Sequence, residues 1–105
     1  MTDFSSFPDL DQIITDIPVD TIISRTIYQD DNLKAILFGF AVGQSLSEHT
    51  ASKPAILHFV RGQAELTLGD VPQTAVANTW VHMPARLPHS VTAETETIML
   101  LLLLG

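Results

Sequence analysis

The sequence predicts an all-β fold, a sandwich or barrel of many short strands. Two observations carry that expectation. Turn signals recur about every ten residues from Thr21 onward, the spacing of such folds. The stretches between them are β-branched and apolar, and Gln63 to Leu68 alternates apolar with polar at every step. The elements follow in order.

Residues 1–20 read as an N-terminal extension to a single domain over 21–105. Within it Leu10, Ile13, Ile14 and Ile17 fall at i, i+3, i+4 and i+7, which predicts a short helix or turn packed on the edge of something larger. Pro18 stops it. Residues 21–28 are rich in Thr and Ile, and Asp30-Asp31-Asn32 is a turn signal. Residues 33–42 are almost wholly apolar and predict a strand buried on both faces, ended by Gly43. Ala55 to Val60 is the next strand, closed by Arg61-Gly62. Residues 63–68 follow, and Gly69-Asp70 turns the chain. Residues 74–77, 80–83, 90–92 and 97–104 complete eight or more strands. The last is apolar on both faces, so it needs cover from an opposing sheet and from a second element or subunit.

The chain has 105 residues, enough for one domain, and is 46% hydrophobic but only 16% charged. Mean hydropathy is +0.26. Low charge with high apolar content excludes a disordered chain and points to a surface partly covered by a second copy, a homodimer. The formal net charge of -7 argues against nucleic-acid binding, which needs a basic face. There is no cysteine, so disulfides, thiolate metal sites and cysteine nucleophiles are excluded. The start lacks a basic and then apolar leader, and the longest apolar run, residues 98–104, is far short of the ~20 residues of a membrane helix. A cytoplasmic protein with no membrane partner is the expectation.

The chemistry rests on His49, His58, His82 and His89, because no nucleophile elbow, phosphate loop or dinucleotide fingerprint is present. Imidazole suits zinc, nickel, iron and other divalent transition metals. A lone histidine on a strand is equally at home as a polar surface group, so context has to decide.

That context is two spaced motifs. Gly43, five residues, His49, and then a span ending at Gly62 resembles the first motif of the cupin superfamily: Gly, five residues, His-x-His, three or four residues, Glu, six residues, Gly. Asn78, five residues, Pro84-Ala85-Arg86-Leu87-Pro88-His89 resembles the second: Gly, five residues, Pro-x-Gly, two residues, His. Asn78 stands for the first glycine of the second motif, and Asn is the best substitute for Gly at positive φ. The resemblance covers about residues 36–104 and implies a jelly-roll barrel, the double-stranded β-helix, often dimeric, with a metal or a small organic molecule inside.

Two of the family's four metal positions are methyl groups here, Ala51 and Ala55, so the first motif is degenerate. The resemblance leaves His49 and His89 as metal ligands. His58 is the first candidate for a third. It lies three residues beyond Ala55, so a regular strand turns it to the opposite face, and a bulge near Pro54 would bring it back. His82 is the second candidate, if the face it shares with Trp80 lines the barrel. Glu48, next to His49, faces away on an extended chain. Arg86 replaces a motif glycine at the barrel mouth, where it is a solvated loop residue or the partner of an anionic ligand. The implied cofactor is a divalent transition metal (Zn, Ni, Fe or Mn) at partial occupancy. Three functions follow: a metal centre acting on a small organic substrate, a small-molecule sensor or carrier without chemistry, or a degenerate structural cupin without metal.

Overall fold

The computed structural model describes residues 3–105; Met1 and Thr2 of the expected extension lie outside the described residues. The described residues form nine strands: β1 Ile22–Gln29, β2 Leu33–Phe40, β3 Ser45–His49, β4 Ala55–Arg61, β5 Ala64–Leu68, β6 Val71–Ala75, β7 Trp80–Met83, β8 His89–Ala93 and β9 Thr97–Leu104. They form two antiparallel sheets, ordered β1-β2-β9-β4-β7 and β3-β8-β5-β6. The sheets face each other across an apolar interior. Eight of these strands lie within residues 33–104, as the turn spacing predicts.

Alternation decides which side chains fill that interior. Phe40 of β2, Ala55, Leu57 and Phe59 of β4, Leu66 of β5, Met83 of β7, Val91 of β8 and Met99 of β9 form one buried cluster. The other faces of β2 and β9 carry Ala35, Leu37, Ile98 and Leu100, also buried, in a second cluster outside the barrel. Both strands are therefore apolar on both faces, as their sequences predict.

The outer cover comes from the N-terminal segment. Ile14 is 3% exposed. A side chain at Gly39 would crowd Ile14 and Ile17, so glycine on β2 lets the segment lie close to the sheet. Arg61 fastens it from the sheet side, with Nε donating to Asp11 and a second guanidinium nitrogen donating to Glu96. Arg25 also donates to the Ile13 carbonyl.

Of the short helix or turn expected over residues 8–17 a single 3-10 turn forms, Leu10–Gln12, capped by the Asp9 carboxylate accepting from the Asp11 amide. Ile13, Ile14 and Ile17 are β-branched and poor at propagating a helix. They find better burial draped along the sheet. No helix among the described residues is long and apolar enough to cross a membrane.

At Gly62 the chain swings from one sheet to the other with φ +93, and a Cβ there would overlap the Glu96 carbonyl. Only glycine fits that corner.

Candidate functional site

His49 ends β3 and His89 begins β8, and the two are directly opposed in the ladder. Leu46 of β3 opposes Val91 of β8, and both belong to the interior. From Val91 back to His89 is two residues, so His89 keeps the same face. From Leu46 to His49 is three residues, which in a regular strand would put His49 outside. The pairing shifts register between Leu46 and His49. That bulge absorbs the extra residue and returns His49 to the side of His89.

The two rings are neighbours, with centroids 4.1 Å apart and planes at 60°. Each is oriented by a backbone carbonyl two residues earlier. His49 Nδ1 lies 2.8 Å from the Ser47 oxygen, and His89 Nδ1 lies 2.9 Å from the Leu87 oxygen. A carbonyl can only accept, so Nδ1 carries the proton in both rings. The lone pair of each neutral ring is therefore on Nε2, the arrangement by which a second shell prepares imidazole for a metal. His89 is 7% exposed, whereas His49 is open to solvent. Burial pushes the His89 pKa below its ordinary value. The Leu87 carbonyl opposes that shift, and His49 beside it adds to it.

The pair sits where the β3–β4 and β7–β8 connections cross between the sheets. The inward residues grade from fully buried to half-buried toward this end: Ala64 and Leu66, then Leu68 on β5; Met99, then Leu101 and Leu103 on β9. Leu68 opposes His89 in the ladder. Leu46, Leu68 and Leu87 are half-buried and pack against the interior cluster beside the strand ends and the loop that carry the two imidazoles. The loop over residues 84–88 is tied down. The Arg86 amide donates to Ala51 and the Leu87 amide to Pro84, while the Pro88 carbonyl accepts from Gly69.

His58 and His82 are not brought to this site. On β4 the inward residues are Ala55, Leu57 and Phe59, so His58 alternates to the outer face, opposite Trp80 and Leu100. The β4 irregularity falls between Phe59 and Arg61, past His58, and so does not reverse it. On β7 it is Val81 and Met83 that turn inward; Trp80 and His82 are exposed on the outer face. Glu48 is exposed beside His49. Among the described residues no group of three or more His, Cys, Asp or Glu side chains converges.

Two imidazoles with Nε2 lone pairs are donors that suit a divalent ion, and they would leave its remaining positions to water or to a ligand. With metal–nitrogen bonds of about 2.1 Å, the centres of two ligand rings would stand about 4.6 Å apart at right angles and about 5.3 Å apart at the tetrahedral angle. The observed 4.1 Å is shorter than either, so the two rings would have to part to share one ion.

No protein-family model and no curated protein matches the sequence. Solved structures do match. A cupin superfamily protein from Desulfitobacterium hafniense DCB-2 is 24% identical, with a TM-score of 0.81 over 86% of this chain and 83% of that one. A conserved protein of unknown function from Streptococcus pyogenes is 27% identical, with a TM-score of 0.85 over 99% of this chain and 90% of that one. A cupin 2 conserved barrel domain protein from Leptotrichia buccalis is 28% identical, with a TM-score of 0.79 over 87% of this chain and 44% of that one. The two-motif resemblance and the strand pattern agree with these likenesses.

Proposed function

We propose that this small cupin, all-β with two antiparallel sheets enclosing an apolar interior, uses the His49–His89 pair at the mouth of its barrel to hold a divalent transition metal and, beside it, a small organic molecule. The observation that carries the proposal is the convergence of two imidazoles, each with Nδ1 committed to a backbone carbonyl and Nε2 left as a donor. The bound ion would supply Lewis-acid polarisation of a ligand oxygen. The chain's own residues orient the two donors and, by burial, favour the neutral form of His89. With Ala51 and Ala55 contributing nothing, affinity is low and occupancy partial.

Elemental analysis and nickel titration of the wild type, His49→Ala and His89→Ala test this, with circular dichroism as the folding control. The expected result is at least tenfold weaker binding in each variant with the fold intact. Equal metal in all three proteins overturns the proposal. It moves the reading to a degenerate cupin without metal, which the two alanines at family ligand positions already favour as the second reading.

A further inference from the structure

We infer that the outer face of β4, β7 and β9 joins two copies of this chain and that His58 and His82 make the contact acid-sensitive. Neither histidine belongs to the site proposed above, so the inference stands apart from that reading. The ladder fixes their placement. His58 of β4 opposes Trp80 of β7 and Leu100 of β9, and His82 of β7 opposes Ile56 of β4. The two imidazoles are therefore diagonal neighbours on one face. Their ladder neighbours there, Ile56, Trp80, Leu100 and Leu102, carry no charge. Trp80 is 59% exposed, a large aromatic side chain left in water. A second copy is the occupant this face fits. Without fixed charge it does not repel itself across a two-fold axis, although the chain as a whole carries -7.

Acid changes that. Imidazole is the side chain that gains charge between pH 8 and 5. The other charged groups around this face do not answer it. No Asp, Glu, Lys or Arg lies on β7 or β9. Arg61, at the end of β4, donates to Asp11 of the N-terminal segment and to Glu96. Lys53, before β4, donates to the Gly105 carbonyl, and Arg86, after β7, is exposed. Among the described residues no carboxylate pairs with either imidazole, since both ion pairs belong to Arg61. The protonated rings would have no counter-ion inside the contact. Burying an unpaired charge is costly, so the dimer binds fewer protons than two free protomers and dissociates as pH falls. The long-range effect has the opposite sign. Protonation lowers the net negative charge of each copy, which by itself tightens association. Weakening in acid is therefore the signature of imidazoles within the contact.

Sedimentation equilibrium at pH 7.5 and 5.5 tests this, at fixed ionic strength and with EDTA present so that no metal bridges the copies. Wild type is compared with the His58→Gln, His82→Gln double variant, and circular dichroism at each pH reports the fold. Both side chains lie outside the buried interior, so the variant should fold. The expected result is a wild-type dimer at pH 7.5 whose Kd rises at least tenfold at pH 5.5 with the barrel intact. The double variant should stay dimeric, with its Kd changing less than twofold. An equal rise in the variant overturns the inference. The wild-type measurement decides without the variant: a protein monomeric at pH 7.5, or a dimer equally tight or tighter at pH 5.5, also overturns it.

Discussion

His89 shows how one side chain links stability to pH. Its pKa is depressed in the folded protein, chiefly by burial, so near and below the ordinary histidine value of about 6.5 the unfolded chain binds more protons than the folded one. The stability it contributes is fully present above that pH. It is lost as pH falls from there through the folded pKa. An NMR titration should place the His89 midpoint below 6.5, and His89→Gln should flatten the acid side of the stability curve. A midpoint at or above 6.5 would contradict the burial argument. His49 and His89 were legible in the sequence because motif spacing marks both. That they share a face was implied by the family resemblance alone and not by strand parity, since it depends on a bulge between Leu46 and His49 that no turn residue announces. His58 and His82 show the converse. Strand parity from Ala55 already sent His58 outward, and only a bulge near Pro54 would have reversed it; the irregularity formed past His58. His82 depended on the face it shares with Trp80 lining the barrel, and Val81 and Met83 fill the interior instead.

Among the elements, the N-terminal segment offers two candidate fastenings whose magnitudes differ. The Arg61–Asp11 pair is close at 2.6 Å, but both side chains remain about a third exposed. Such pairs contribute less than about 1 kcal/mol. Ile14 is buried against β2 and β9, and removing a buried isoleucine down to alanine costs about 2–4 kcal/mol. Urea denaturation should therefore show Ile14→Ala strongly destabilised and Asp11→Ala nearly unchanged. The reverse order would mean that charge, not burial, holds the segment down. The apolar residues of this segment were visible as a periodic set, and their burial against the barrel edge was expected. Of the short helix or turn expected there only a turn forms, because three of the four apolar residues are β-branched and the sheet, not a continued helix, buries them. The doubly apolar faces of β2 and β9 were legible for the same reason as the core: a strand with no polar alternation must be covered twice.

At the scale of the whole molecule, the question is what covers the part of the outer face that the N-terminal segment does not reach. Ile98 and Leu100 are buried beneath that segment, but Leu102 and Leu104 of the same strand stay half-buried. Beside them Ile56 and His58 are also half-buried, and Trp80 on the edge strand β7 is 59% exposed. This outer surface of β9, β4 and β7 carries no Asp, Glu, Lys or Arg among these residues, in a chain of net charge -7. An uncharged patch is self-complementary, as a two-fold interface requires. A charged patch of one sign would repel its own copy. We therefore propose a homodimer closed through this face, with more than about 1,000 Å² buried. Two chains of -7 repel at a distance, and salt screens that repulsion while leaving apolar contact intact. Light scattering at micromolar concentration should give the dimer mass, with dissociation suppressed by added salt. Trp80→Ser should weaken the dimer at least tenfold without unfolding the barrel, because Trp80 takes no part in the buried interior. A wild type that is monomeric at micromolar concentration, or a dimer indifferent to Trp80→Ser, would remove this face as the interface.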